Sequence, residues 1–486
     1  MVGPAYHRPT AAAPLVFKEL PGWKLATPSD TAPKGKWWEI YHDPVLDALE
    51  DKVEIGNQTL KEDEAAYRAA QALVDEARGA LFPVLSANAG VTRSSSGGSG
   101  GVVSSPGLAT GTTSTSGTTG ISTSGTGRAP RTEFQLEGSA SWTIDVWGAI
   151  RRQIQSDVAT AQASAATLAN ARLAAQGLLA TDYLDLRATD ELQRVLNETV
   201  KADQRSLRIT QNQYQAGTAA QSDVITAQTT LDAAQAAAIN VGVARAQYEH
   251  AIAVQIGVPP AALTIVPVDS VPAVPEIPGI LPSQLLERRP DIAEEERTVK
   301  AENALIGVAV AAFYPTISLS ALGGFAGNPI GSLFNASNEV WSLGASAGET
   351  LFNGGEHSAA VRAARANYDA AVAAYRLTVI TAFQNVEDDL SGLRILAQQD
   401  AVDRQTVADA KRALSIALNE YLAGTQAYTT VVTAQTTLLT AQETEISVQM
   451  TRLADSVALV QALGGGWRDT DLPDKEWLQR RNPLLP

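Results

Sequence analysis

Apolar side chains fall at Ile150, Ile154, Val158, Ala161, Ala165 and Leu168, and again at Leu179, Tyr183 and Leu186. Steps of three and four mark a helix packed along one stripe. The stretch Ala149–Gln215 holds no proline and one glycine, Gly177, and is rich in helix-tolerant Ala, Leu, Gln and Arg. At 1.5 Å per residue such a rod would span roughly 100 Å, more than a compact domain needs. The same object recurs from Glu356 to Leu422, with Gly392 as its sole glycine.

The remaining pattern alternates between helical and extended periods. Residues 1–42 form an arm broken by Pro4, Pro9, Pro14, Pro21, Pro28 and Pro33; Trp37, Trp38, Ile40 and Tyr41 are read as an aromatic anchor. Asp43 as cap and Pro44 at the first position predict one helix over 43–80. After Phe82-Pro83 the period becomes two. Leu85, Ala87, Ala89 and Val91 alternate with polar residues, and a second alternating run covers Glu133–Val146. That run is longer than the 9–11 residues a tilted strand needs to cross a bilayer. Between the two strands lies a Gly/Ser/Thr-rich stretch that cannot bury enough apolar surface to order itself, an external loop over 94–130. A return helix, about Ala219 to Gln255, follows the first rod. A helix is expected over 283–312, then strands at Tyr314–Phe325 and Val340–Phe352, the second rod, and a return helix from about Gln426 to Ala462. The chain thus divides into arm 1–42, helix 43–80, β-hairpin 81–148, helical hairpin 149–256, connection 257–282, helix 283–312, β-hairpin 313–353, helical hairpin 354–462 and tail 463–486.

The order occurs twice. Tyr214, Gly217, Thr218 and Val224 through Leu231 match Tyr421, Gly424, Thr425 and Val431 through Leu438 at a constant offset, 421 − 214 = 207. Identities in constant register indicate duplication. The shorter helices, laid end to end, equal the rods in length, which places arm, connection and tail at joints partway down them. Four strands cannot close a membrane barrel, since such barrels start at eight. Three copies would supply twelve, whereas two would give a barrel that side chains fill.

Composition narrows the chemistry. There is no cysteine, which excludes disulfides and thiolate sites, and His7, His42, His250 and His357 show no metal-ligand spacing. No phosphate loop, nucleophile motif or cofactor signature is present, so no enzyme, metal or cofactor is expected. A net charge of −15 disfavours nucleic acid and anionic surfaces. No apolar run is long enough for a membrane-spanning helix.

Several runs carry a resemblance. They are Val2-Gly3-Pro4 with Tyr6, Arg8 and Pro9; Leu286-Glu287-Arg288-Arg289-Pro290-Asp291-Ile292; Asn303, Ala304, Ile306 and Gly307; and Phe313 with Pro315. Trp142, Asp145, Trp147 and Gly148, and Leu351-Phe352-Asn353-Gly354-Gly355, add to it, as do both Tyr-x-x-Gly-Thr turns. Together they resemble the TolC/OprM-like outer membrane factor family, nearest the lipoprotein branch that serves resistance-nodulation-division pumps. The resemblance implies a mainly α fold with a membrane β-barrel: a homotrimer with a 12-stranded β-barrel in outer-membrane lipid, continued by a 12-helix periplasmic α-barrel, two repeats per chain. It implies a passive exit duct for drugs and other small toxic compounds, docked to a periplasmic adaptor and an inner-membrane pump. In that branch a lipidated cysteine lies just ahead of the Val-Gly-Pro motif; Met1 holds or follows that place here, and acylation of the natural precursor is the expectation.

The resemblance also implies sites. Asp223 would ring the periplasmic entrance; read from position alone it is a first-turn acid facing the helix dipole. Where the family carries aspartates in the second repeat this chain has Thr430 and Thr433, and Gln426 stands where one branch has arginine. With Tyr214 and Tyr421 these form the candidate gate. Gly217, Thr218, Gly424 and Thr425 are hairpin turns to which the resemblance adds adaptor docking. Glu287, Arg288, Arg289 and Asp291 are read as a structural charge network. Alternatives are a duct for type I protein secretion or metal-ion efflux and, from another class, a soluble coiled-coil scaffold, which leaves the four amphipathic strands unexplained.

Overall fold

The structure, a computed structural model, describes residues 1–11, 17–19, 36–94, 130–268, 270–275, 288–474 and 478. Nearly all of the expected external loop, together with Glu287, residues 276–287 of the connection and following helix, and most of the tail beyond 474, lies outside the described residues. The chain divides into two compact units. One comprises residues 1–3, 76–152 and 307–360, the other residues 4–75, 153–306 and 361–486.

The first unit is built on β1 (Val84–Ser94), β2 (Arg131–Ile144), β3 (Thr316–Gly327) and β4 (Glu339–Gly348), an antiparallel sheet in the order β1-β2-β3-β4. Its register aligns like with like. Leu85, Ala140, Ala321 and Leu343 lie abreast, as do Trp142, Leu319 and Ala345. On the opposite face Ser141, Ser320 and Gly344 lie abreast, the Ser86 and Ser139 hydroxyls are 2.9 Å apart and those of Ser318 and Ser346 3.2 Å apart. The period of two therefore sorts the sheet into an apolar face and a polar one, with Val84, Leu322, Ala326 and Val340 the departures on the polar side.

Strand ends differ from the expected ones: β3 runs over Thr316–Gly327 rather than Tyr314–Phe325, and β2 and β4 each begin one or two residues early and stop short. β2 stops at Ile144, because Asp145 turns to accept the Ile150 and Arg151 amides, at 3.2 and 3.0 Å, and caps the following helix. β4 stops at Gly348 and leaves Leu351 and Phe352 outside the ladder, almost fully exposed. The chain start is held against this unit. Val2 N–H donates to Trp147 O at 3.0 Å and Arg152 Nε to Val2 O at 3.0 Å. Gly3 sits at φ +93°, with Gly307 so close that a Cβ would overlap its Cα.

The second unit is helical: α1 (Pro44–Gly56), α2 (Gln58–Gly79), α3 (Ala149–Gln215), α4 (Gln221–Gln255), α5 (Pro290–Ala311), α6 (Glu356–Leu422) and α7 (Tyr428–Ala462), of which the ends of α2 and α5 and the starts of α3 and α6 belong to the first unit. Both rods keep the bounds that their apolar stripes mark. The single helix read over 43–80 is corrected to two. Asn57 leaves the helical conformation, and its Oδ1 accepts the Thr59 and Leu60 amides at 2.9 and 3.2 Å. The same side chain donates to Gln255 O at 2.9 Å, so the end of α4 meets the break between α1 and α2. Arg289 Nη1 donates to Ala462 O at 3.1 Å, so the end of α7 meets the start of α5. The two acceptors stand 462 − 255 = 207 positions apart. Arg289 also pairs with Asp291 at 2.6 Å, which puts part of the expected charge network at this joint.

The main core lies halfway along the rods. Leu179, Tyr183 and Leu186 of α3, Ile252 of α4, Val386 and Leu390 of α6, and Leu453 of α7 pack with Trp37, Trp38 and Tyr41 of the arm, the expected anchor. Beside it, buried Arg187 donates to the Tyr183 hydroxyl and to Val266 O at 3.0 Å, while that hydroxyl donates to Asp43 at 2.6 Å. Arg245 pairs with Asp190 at 2.7 Å and donates to Ile265 O at 2.7 Å. The proline-rich connection cannot form a ladder of its own, and these guanidinium groups take up its carbonyls. The arm is tied to the second rod in the same way: Glu387 accepts the Lys18 and Glu19 amides, and Arg394 pairs with Glu19.

One buried group in this unit opposes stability. Glu50 is fully buried, and among the described residues neither of its carboxyl oxygens has a hydrogen-bond partner. Burial first, then Asp51 and Asp47, push its pKa up to about 9. The folded protein therefore keeps a proton that the unfolded chain releases near pH 4.5, and stability falls as pH rises from there to about 9. Glu50→Gln is expected to raise the unfolding free energy in detergent at pH 7–8, by up to about 3 kcal/mol, with little effect near pH 4. Denaturation followed at both pH values checks this.

Candidate functional site at the helix-hairpin tips

Each long hairpin turns in the same way. Gly217 N–H donates to Tyr214 O at 3.0 Å, and Thr218 N–H donates to Gln213 O at 2.9 Å. In the second hairpin Gly424 N–H donates to Tyr421 O at 2.9 Å, and Thr425 N–H to Glu420 O at 3.0 Å. Both glycines sit at φ +74°, and both threonine hydroxyls bond the same carbonyl as their own amide, at 3.0 Å. This is a Schellman stop, in which glycine takes the left-handed position and the last free carbonyls are satisfied. The return helices begin at Gln221 and Tyr428, two residues later than their expected starts, because Ala220 and Ala427 are still extended.

The candidate gate residues do not form one group. Tyr421 is buried at 6 % exposure, while its counterpart Tyr214 is 46 % exposed. Thr430 and Gln426 lie exposed on the surface and touch one another through a 3.4 Å side-chain bond. Thr433 bonds back to Thr429 O at 2.9 Å within its own helix. Asp223 sits half-buried in the first turn of α4, with its N–H on Ala220 O at 3.1 Å. Gly217, Thr218, Gly424 and Thr425 are exposed at the turns.

What holds the tips together is a cluster that the sequence reading did not single out. Tyr428 is 2 % exposed and packs with Ala227, Ala417, Tyr421 and Val431; its ring lies 5.2 Å from that of Tyr421. Its hydroxyl shares a side-chain bond with Ser206, which also accepts from Gln435 Nε2 at 3.1 Å. Burial raises the Asp203 pKa to about 6 and is the largest cause raising that of Tyr428 to about 12. The signal lay in a stripe, Tyr428, Val431 and Gln435, spaced by three and four. It went unread because a tyrosine beside a turn has no period of its own.

The described residues hold no group of three or more His, Asp or Glu placed to bind a metal. They hold no helix long and apolar enough to cross a membrane. The sheet, however, has one apolar and one polar face, the pattern of outer-membrane strands. Residues 49–258 and 281–465 match the outer membrane efflux protein family. The chain belongs to that family. It is 30 % identical over 477 residues to the pyoverdine export outer membrane protein OpmQ of Pseudomonas aeruginosa, covering 97 % of this chain and 94 % of OpmQ. The antibiotic efflux pump outer membrane protein ArpC of Pseudomonas putida is 28 % identical, with 96 % of this chain and 92 % of ArpC covered. The solved outer-membrane channel OprN superposes with a TM-score of 0.84 at 26 % identity, over 96 % of this chain and 99 % of that one. This efflux protein is thus an outer-membrane component of a transport system that works with other pump components, and its family is not a class of enzymes.

The turns give a direct test. Gly217→Ala or Gly424→Ala meets no neighbouring atom but forces an L-residue to positive φ. Each is expected to cost about 1–2 kcal/mol. The cost should appear as faster hydrogen exchange at the Thr218 or Thr425 amide, with exchange at the mid-rod core unchanged.

Proposed function

We propose that three copies of this efflux protein assemble into one passive duct, the outer-membrane exit of a tripartite pump. The observation that carries this reading is the four-stranded sheet, apolar on one face and polar on the other, with β1 and β4 unpaired at its edges. In lipid an unpaired strand edge costs several kcal/mol per backbone group, so the edges must meet other strands. Three copies give a ring of twelve, wide enough to conduct. The helical unit supports the same reading. Large exposed apolar side chains recur on α4 (Ile225, Ile239, Val243, Val254) and α6 (Leu377, Ile380, Ile395, Val402, Ile416), whereas α7 exposes none among its described residues. A neighbouring copy would cover those stripes and complete a tunnel of helices. The bonding scheme shared at positions 207 apart supports an origin by duplication.

The cargo is small toxic compounds, drugs among them, a reading supported by the names of the antibiotic and toluene efflux components. A periplasmic adaptor, carrying cargo from an inner-membrane resistance-nodulation-division pump, docks at the tips around Gly217, Thr218, Gly424 and Thr425. Asp223, Gln426, Thr430, Thr433, Tyr214 and Tyr421 border the entrance. Because Thr430 and Thr433 are exposed and uncharged, the Tyr428–Ser206–Gln435 cluster is the contact that holds the two hairpins together there.

Purified protein imaged in detergent should show a threefold particle with a central hole and should conduct ions in planar bilayers. Ile239→Asp with Val243→Asp should shift the particle to monomers and abolish the resistance that the wild type restores to a deletion strain. A wild-type particle that is a single copy without a hole overturns the reading.

A further inference from the structure

The polar face of the sheet carries little charge, and its placement is uneven. Along β2 the residues on that face are Arg131, Glu133, Gln135, Glu137, Ser139, Ser141 and Thr143. The remaining positions on that face are all uncharged: Val84, Ser86, Asn88, Gly90, Thr92 and Ser94 on β1, the even-numbered residues Thr316 to Ala326 on β3, and the even-numbered residues Val340 to Gly348 on β4. Arg131 and Glu133 stand at the end of β2, two residues apart and opposite in sign. Arg93 and Glu339 stand at strand ends on the opposite face, so Glu137, between Asn88 of β1 and Gly324 of β3, is the one charge on the polar face away from its rim among the described residues.

A seat is built for it. A Cβ added at Gly324 would come 2.3 Å from Leu136 O, 2.7 Å from Glu137 Cα and 3.1 Å from its Cγ, so the bare backbone of Gly324 admits β2 closely here and leaves room for the Glu137 side chain beside β3. No hydrogen bond or ion pair from its carboxylate to another described residue accompanies the seat, so its charge is not cancelled locally.

We infer that Glu137 is a charge-selectivity determinant of the duct, favouring cations and cationic cargo over anions inside the β-barrel. The inference rests on the threefold reading above, which turns one residue into a ring of three. Twelve strands about 4.8 Å apart and tilted about 40° enclose a backbone radius of about 12 Å. A glutamate side chain reaches roughly 5 Å inward, which leaves a free radius of about 7 Å. That is shorter than the screening length of about 10 Å at 0.1 M salt, so the field of the ring covers the whole cross-section. At 1 M the screening length falls to about 3 Å, and ions along the axis no longer sense the ring. The rim residues Arg131 and Glu133 offset one another and add little.

Reversal potentials in planar bilayers under a KCl gradient test this. Glu137→Gln keeps the side-chain shape and is expected to lower the potassium-to-chloride permeability ratio about twofold or more near 0.1 M, with the difference lost near 1 M. Glu137→Lys should lower it further, and Glu133→Gln should lower it less than Glu137→Gln. If channels form and both Glu137 variants keep the wild-type reversal potential at low salt, the role of Glu137 is refuted and the duct stands. If the wild type forms no channel, the duct itself is refuted.

Discussion

Every other feature of this protein is subordinate to one unmet requirement, the pairing of the outer edges of β1 and β4. Each strand presents a row of amide and carbonyl groups that water cannot satisfy at membrane depth. The two faces of the sheet make the demand specific. The apolar face prefers lipid, the serine- and glycine-rich face prefers water, and only a closed ring gives both faces what they need while removing the edges.

The long rods meet a different difficulty. A helix of 67 residues buries only a stripe, and stripes alone leave it free to slide and bend. Here the irregular segments hold the rods at their midpoints. Arg187 and Arg245 on the first repeat fix the proline-rich connection, and Arg394, the counterpart of Arg187, fixes the arm. A buried guanidinium stabilises such a joint only when its donors are used: Arg187 and Arg245 each give one donor to a carbonyl of the connection, Val266 O and Ile265 O, and the rest to Tyr183, Asp190 and Glu249 on the helices themselves.

The two tips share one turn and differ in what surrounds it. The turn chemistry is the same in both hairpins, down to the threonine hydroxyl that doubles its own amide's bond. The neighbours differ. Tyr421 finds Tyr428 and a buried pocket, whereas Tyr214, with Gln221 in the equivalent place, stays exposed. The turns were readable because glycine at a left-handed position is a local requirement. The cluster of Tyr428, Ser206, Gln435 and Asp203 was not, because it is assembled from residues more than two hundred positions apart.

Local patterns alone determined the two rods, the existence of four amphipathic strands, the helix-stopping turns and the register of the repeat. Each depends on spacing within one segment, and a period of two or of three and four survives any tertiary context. Tertiary structure decided the contact at Asn57 and the burial of Tyr421 in a cluster that Tyr214 lacks. It also decided the isolation of Glu137. Asn57 breaks the helix where its side chain can reach the end of α4. Asp145 leaves the strand because a helix that needs a cap begins just beyond it. At Asn57 the carbonyl partner lies 198 positions away, beyond any reading along the chain, whereas at Asp145 the capped amides lie five and six residues on and the alternating strand pattern hid a local signal.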